Sequence, residues 1–344
     1  MTKIGHFVSF GIGGADRATI ELIKELSKLI PDIEICYNDM SFPMRTEDQD
    51  SSQPLLNIQN EYEGLGTLHR ITKTSDLSDL KLDILHTHRS GEDEWLLPGL
   101  GGIERKFKIV ETNFHGFEDT PADFRIYPSR ELVKFRGIKS SENHSVIANI
   151  VNSISGRSLK DELGIPQNSL VYGRVGRSDK SIYSSTLLKQ YSQIENDGTA
   201  LIWVGASTQA MKDAETFGVK NVTWVDPVDN PRDMADLYAT FDVYCHANPL
   251  GETFGNTVAE AVLRGIPVAS LKGSRKYPQA QKELLNKYQF CSSTRGYQSL
   301  LKKYRDDPEF RENESKINKA FANENLDPRR IADQVINVYE KILA

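Results

Sequence analysis

The sequence predicts an α/β protein of two domains, each built on a parallel sheet. Three observations predict it. Short apolar stretches of strand length alternate with segments of helical periodicity along most of the chain. Loops carrying glycine follow several of those stretches, where an open α/β sheet exposes the carboxyl ends of its strands. The length, 344 residues, exceeds what one hydrophobic core usually serves.

In the first half, residues 3–10 read as a strand. Gly11, Gly13 and Gly14 then open a helix, Ala15 to Leu29, on which Ile20, Ile23, Leu26 and Leu29 recur near helical spacing. A glycine loop at a helix N-terminus is a ready anion site, because unpaired N–H groups and the helix dipole point the same way. The competing reading is a tight turn that uses glycine for its backbone angles. A dinucleotide fingerprint needs a further glycine where this chain has Asp16, so NAD binding is not predicted. After a strand at Ile33–Tyr37, the polar stretch from Ser41 to Gly66 lacks periodicity and reads as a surface loop.

Strands at Leu82–His88 and Lys108–Gly116 both end near histidines. His86 and His88 alternate onto one face, and with Asp83 and Asp93 nearby such a pair is able to seed a metal site; hydrogen-bonded, partly buried histidines are the reading favoured here. His115 sits between Asn113 and Gly116, in a loop able to bring backbone and ring close to a ligand, and is assigned to function. A short strand (Arg125–Tyr127), a helix capped by Ser129 and ended by Gly137, and a strand at Ser145–Ala148 complete this half. Residues 149–156, NIVNSISG, read as a linker, which divides the chain into domains 1–150 and 151–326.

The second half repeats the alternation. A strand at Leu170–Val175 runs into Gly176, Arg177, Ser178, Asp179 and Lys180, cations able to neutralise a pyrophosphate or simply to face solvent. Strands at Ala200–Val204 and Val222–Val225 and a helix at Arg232–Tyr238 lead to NPLGETFGNTVAEAVLRGIPV, residues 248–268. There a strand ending at Cys245 feeds a loop with Glu252, then a helix from Asn256 that carries Glu260. Glu260 shares a helix face with Asn256 and Arg264, opposite Val258, Ala261 and Val262. Polar helical segments follow at 281–288, 297–304, 307–322 and 328–343. The last presents Ile331, Val335, Val338 and Ile342 as one apolar stripe.

Composition excludes several classes. Hydrophobic residues are 38% and charged residues 26%, and no apolar run approaches the roughly 20 residues a membrane helix needs. The N-terminus has no signal-peptide pattern. Cys36, Cys245 and Cys291, widely spaced, fit a reducing compartment, and a cytoplasmic location is expected. The glycosylation patterns at Asn143 and Asn221 are then chance matches. A net charge of −6 argues against nucleic-acid binding.

Taken in order, these motifs resemble the retaining glycosyltransferases of family 4 type (glycosyl transferases group 1), which have the GT-B fold. GETFGNTVAEAVLRGIPV is similar to that family's E-x7-E signature, GGADR to its first glycine loop, HTH and TNFHG to its histidine-bearing strand ends, YPSRELVKFRG to its next helix, VGRSDK to its diphosphate loop, and DPVDNPRDMADLYATFDVYCHAN to the approach to the signature. The resemblance implies two Rossmann-like domains facing across a cleft, acceptor on the first and nucleotide on the second, with a C-terminal helix, 327–344, crossing back to the first. It implies a metal-independent transfer from a nucleotide-diphosphate sugar, UDP- or GDP-linked, to a glycan, lipid or small-molecule hydroxyl, with no separate cofactor and with peripheral membrane contact compatible with a lipid acceptor. Within it, His115, Arg177, Lys180 and Glu252 are the catalytic set. Gly13, Gly14, Val228, Gly255, Asn256, Thr257 and Glu260 contact the donor. Two departures stand out: Lys180 follows Arg177 by three residues where the family usually has five, so that Arg174 is able to share the phosphate, and VASLKGSRKYPQAQ lacks the usual Gly-Gly and Glu.

Overall fold

A computed structural model of the chain describes residues 2–11, 13–42, 58–89, 105–179 and 182–344. They form two compact units. The first comprises residues up to Val151 together with Leu326–Ala344, and the second Asn152–Asn325.

The first unit is a seven-stranded parallel sheet of β1 (Ile4–Phe7), β2 (Ile33–Tyr37), β3 (Thr67–Arg70), β4 (Ile84–Arg89), β5 (Lys108–Asn113), β6 (Phe124–Tyr127) and β7 (His144–Val146) in the order 3-2-1-4-5-6-7. The helices are α1 (Gly14–Ser27), a single turn α2 (Asp76–Asp79), α3 (Arg130–Arg136) and, from the end of the chain, Pro328–Leu343. Ser129 caps α3 by accepting from the Leu132 amide at 3.1 Å, and Gly137 closes it with φ +68°. The terminal helix starts on Asp327, whose carboxylate accepts from Arg330 N, with Pro328 in its first turn. Its stripe of Ile331, Val335 and Val338 is buried with Ile20, Ile23 and Leu26 of α1 and with strand residues Ile4, Ile35, Ile84 and Val110. Each such side chain contributes about 1.5–3 kcal/mol by leaving water, so the helix is held mainly by that stripe.

The second unit repeats the plan with six parallel strands, β8 (Leu170–Val175), β9 (Thr199–Val204), β10 (Val222–Val225), β11 (Val243–His246), β12 (Val268–Leu271) and β13 (Phe290–Cys291), in the order 10-9-8-11-12-13. Helices α4 (Thr186–Tyr191), α5 (Thr208–Phe217), α6 (Pro231–Thr240), α7 (Asn256–Leu263), α8 (Thr294–Asp306) and α9 (Pro308–Asn325) accompany it, and the terminal helix becomes α10. The core is aromatic: Tyr172, Tyr191, Trp203, Tyr297 and Tyr304 pack with Leu188, Leu201 and Leu301. In both sheets the order reverses beside the first strand, between β1 and β4 and between β8 and β11. Ligands of open α/β sheets bind at that switch point, beyond the carboxyl ends of the strands.

Three elements differ from expectation. Helix α5 was not anticipated, because only Ala210 and Ala214 of its residues are buried; its signals are the caps Ser207, which accepts from Ala210 N at 3.2 Å, and Gly218, at φ +68°. Strand β3 has no buried position, with Thr67 and Arg70 exposed and Leu68 and His69 half-buried, as an edge strand. Residues 281–288 do not form a helix: a 3-10 turn at Ala280–Leu284 stands there, pinned to the loop of Glu252. Of the Ser41–Gly66 stretch, residues 43–57 lie outside the described residues, and Gln59–Tyr62 is a 3-10 turn.

Candidate functional site

The carboxyl edge of the second sheet gathers the largest group of expected site residues. Strand β11 ends in His246, fully buried, and the chain turns through Asn248 to Glu252. His246 Nε2 lies 2.9 Å from Glu252 Oε1, and the Asn248 amide donates to the same oxygen at 3.0 Å. His246 Nδ1 contacts Ser270 Oγ on β12 at 3.1 Å. The carboxylate is thus fixed through a histidine itself fixed to the sheet. Burial pushes the Glu252 carboxyl up, but the His246 and Asn248 hydrogen bonds and the charge of Arg174 outweigh it, and the net shift is below the ordinary glutamate range. Glu252 stays ionised near neutral pH, with its side chain still a quarter exposed.

The loop that carries Glu252 is clasped to residues 273–281. Glu252 N donates to Pro278 O and Ala280 N to Glu252 O, both at 2.9 Å. The buried Gln279 amide completes the clasp: its Oε1 accepts from Gly273 N at 2.8 Å, and its Nε2 donates to Ser274 O and Tyr277 O at 3.0 and 3.2 Å. Gly251 is required here twice over. Its φ is +79°, and a Cβ would stand 2.2 Å from Gln279 Nε2.

Helix α7 follows directly. Gly255, at φ +98°, is its N-cap and supplies no side-chain cap, so Gly255, Asn256 and Thr257 form a helix start of the kind suited to anions. Glu260 is half-buried on the next turn and lies against the Tyr238 hydroxyl of α6, whose pKa is driven well up by burial first and then by the Glu260 charge. Arg264 Nη1 donates to Glu260 O at 3.0 Å and its guanidinium lies over the Tyr238 ring at 5.0 Å. Glu260 therefore turns away from the Val258, Ala261 and Val262 core, as its helix face requires.

The basic loop is divided between two environments. Arg174, near the end of β8, is 6% exposed; its Nη1 donates to Val175 O at 3.0 Å, and its charge reaches Glu252 and the Tyr244 hydroxyl. Arg177 is 59% exposed and lies 3.4 Å from Asp179. Lys180 falls outside the described residues. Val228, half-buried, follows β10 at the same sheet edge.

The remaining expected residues belong to the first unit. His115 is exposed, in a turn built by Asn113, whose carboxamide accepts from Gly116 N at 2.7 Å and donates to Phe117 O. Arg136 Nε donates to the His115 carbonyl at 2.8 Å. Gly13 is the N-cap of α1 and Gly14 its first residue. The Asp16 carboxylate accepts from Gly13 N at 3.0 Å, and a Cβ at Gly11 would stand 2.5 Å from it. One amide of the glycine loop thus already serves an internal carboxylate.

His86 is the hydrogen-bonded histidine that the sequence favours, with Tyr339 Oη at 2.6 Å and Thr112 Oγ1 at 2.8 Å; Asp93 lies outside the described residues. Sequence reasoning missed His246, Asn248, Tyr238 and Gln279. Only His246 carried a signal, as a polar residue closing an apolar strand.

Residues 168–285 match the family described as Glycosyl transferases group 1. No curated protein matches the chain in sequence. Solved structures with the same fold include HepE of Anabaena in complex with UDP and glucose (15% identity, TM-score 0.76, 99% of this chain and 100% of that one). A glycosyltransferase of Rickettsia africae (14%, TM-score 0.77, 99% and 98%) and the sucrose-phosphate synthase of Thermosynechococcus elongatus (15%, TM-score 0.72, 99% and 99%) are alike to a similar degree. No helix among the described residues is long and apolar enough to cross a membrane. The chain has the α/β fold of the GT-B glycosyltransferases, with two Rossmann-like parallel-sheet units, and its second unit carries the match to glycosyl transferases group 1.

Proposed function

We propose that the chain is a retaining glycosyltransferase of family 4 type. It moves a sugar from a nucleoside-diphosphate sugar, UDP- or GDP-linked, to a hydroxyl of a glycan, lipid or small-molecule acceptor, without a catalytic metal ion. One observation carries the reading: an ionised carboxylate (Glu252), a buried guanidinium (Arg174) and the start of α7 share the carboxyl edge of the second sheet. Those are the partners that sugar hydroxyls and a diphosphate require. That HepE was solved with UDP and glucose, and with UDP-glucose, supports a UDP-linked donor as the first to try.

In this reading Glu252 accepts hydrogen bonds from hydroxyls of the transferred sugar, and Glu260 from the vicinal ribose hydroxyls, since a carboxylate has room for both. Arg174 and Arg177, with Lys180, stabilise the charge that develops on the departing diphosphate, a role preorganised groups fill in place of a metal ion. The amides of Gly255, Asn256 and Thr257 bind sugar and phosphate oxygens, and Val228 offers an apolar contact to the base. Gly13 and Gly14 allow close backbone approach to the phosphates, and His115 contacts the sugar as positive charge grows at its anomeric carbon.

The test is a thermal-shift screen of UDP-, GDP-, ADP- and dTDP-sugars followed by a transfer assay, because a ligand of the folded state raises the melting temperature. Glu260→Ala is expected to weaken donor binding about tenfold to a hundredfold, the worth of a hydrogen bond to a charged group, and Arg177→Ala to lower turnover. If both variants keep wild-type affinity and rate, the site assignment fails. No shift with any donor would favour a chain that binds glycans or partners without catalysis. Release or uptake of inorganic phosphate would favour a phosphorylase, and a donor altered without transfer an epimerase.

A further inference from the structure

The switch point of the first sheet holds three histidines that the transfer reading does not use. His6 lies on β1 and His86 and His88 on the neighbouring β4, with His6 and His86 in direct register. One ring nitrogen from each lies within 4.8 Å of the other two. His6 and His86 are fully buried. His6 Nδ1 and His88 Nε2 are 3.0 Å apart, while His6 Nε2 and His88 Nδ1 are buried without a hydrogen-bond partner among the described residues.

Each neutral imidazole offers one N–H and one lone pair. Across the 3.0 Å contact one ring donates and the other accepts. The accepting ring must then keep its proton on its outer nitrogen, and the donating ring keeps an unused lone pair on its own. The pair alone strands one donor and one acceptor in the interior, where polar atoms are nearly always partnered; an ion held by the inner nitrogens, His6 Nδ1 and His88 Nε2, would use both lone pairs and leave both outer nitrogens as N–H donors. Burial also holds all three rings below the ordinary imidazole range, so their lone pairs are available at neutral pH.

We propose that His6, His86 and His88 bind a divalent transition-metal ion of the zinc type. Tetrahedral zinc sets its nitrogen ligands about 3.3 Å apart, close to the His6–His88 spacing, and a nitrogen of His86 lies within 4.8 Å of both. Both His86 nitrogens have hydroxyl partners, so ligation releases one of them: with Nε2 turned from Thr112 of β5 to the ion, Nδ1 keeps the Tyr339 hydroxyl of α10 as the outer partner that ligating histidines need. A cavity of about 20 Å³ beside His88, lined also by Thr112 and Asn149, has room for one water as fourth ligand. A ligand set of imidazoles alone suits zinc, cobalt, nickel or copper and not magnesium or calcium, which take oxygen. The ion ties β1 to β4 and, through Tyr339, steadies α10. It is a structural ion, separate from the donor chemistry, and this inference does not depend on the transfer reading.

The experiment strips the purified full chain with a chelator, dialyses it, and titrates it with cobalt(II) and then zinc(II). One equivalent of cobalt with the visible bands of a tetrahedral nitrogen site is expected, together with a melting temperature that climbs with each tenfold step in free zinc. His6→Gln, with an unchanged circular-dichroism spectrum, is expected to lose both, while His69→Gln, at a half-buried histidine of β3 that pairs with Glu34, keeps both. A wild-type chain that takes up no stoichiometric metal and shows no zinc-dependent melting shift overturns the proposal without recourse to any variant. A folded His6→Gln chain that still binds one equivalent overturns it too.

Discussion

The two sheets share one strand order but fill their switch points differently. Beside β1, the first sheet sets three imidazoles against one another, with no carboxylate bonded to any of them among the described residues. Beside β8, the second sheet sets one imidazole, His246, against a carboxylate that stays charged and partly open to solvent. Burial drives His6 down to about 3, whereas hydrogen bonds and Arg174 keep Glu252 ionised against its own burial. One backbone plan thus supports a cluster of imidazoles without a carboxylate in one unit and a charged, partly exposed carboxylate in the other. The difference lies in a handful of side chains at strand ends.

The comparison breaks most sharply on Glu252. Glu252→Ala is expected to lower transfer about a hundredfold to a thousandfold, the range for removing a preorganised polar group at a reacting centre, with little change in melting temperature. His86→Ala is expected to do the reverse. It leaves the Tyr339 and Thr112 hydroxyls without their partner and opens a hole, lowering stability by about 2–4 kcal/mol in urea denaturation while donor affinity persists. Equal effects of both variants on both measurements would erase the contrast.

Arg174→Met tests whether the second switch point depends on its buried charge. Donor affinity by calorimetry should fall about tenfold to a hundredfold, and more than for the exposed Arg177. Tyr339→Phe keeps the ring and removes only the hydroxyl that meets His86, so a loss of about 1 kcal/mol is expected, confined to stability. The smallest effect concerns pH. The folded pKa of Glu252 is depressed, so its contribution is complete above the unfolded value of 4.5 and is lost as pH falls through the folded one. Donor affinity should therefore be flat from pH 8 to about 5 as far as Glu252 is concerned; a decline beginning near neutrality and abolished by Glu252→Gln would show a raised carboxyl instead.

The alternation of apolar strands with amphipathic helices made both sheets legible, because buried parallel strands and one-sided helices leave strong periodic signatures. The stripe on α10 announced a core to cover, and the structure supplies it from α1 and the first sheet. Helix α5 left almost no stripe to read, since it fully buries only two alanines and half-buries Phe217 against the core. At the site, Glu252 and Glu260 were legible by spacing within one strand–loop–helix unit. Their partners were not. His246, Ser270, Tyr238 and Gln279 arrive from four places in the chain, brought in by the pairing of β11 with β12, the contact of α6 with α7 and the backbone bridge between Glu252 and Gln279. Arg174 and Arg177, three residues apart, look alike in sequence; burial alone separates them.

The clasp made by Gln279 has a consequence for how this protein can change. One side-chain amide fixes the ends of the Ser274–Tyr277 turn, and the Ser274 hydroxyl accepts from Lys276 N at 3.3 Å within it, while Arg275, Lys276 and Tyr277 are exposed. Anchoring and display are thus divided between different residues. The turn is a mount with three interchangeable positions, 275 to 277, open to substitution and selection without disturbing the loop of Glu252, provided that Ser274, Gln279 and the two glycines at 251 and 273 remain. A library confined to those three positions would vary the surface beside the Glu252 loop at little risk to the fold.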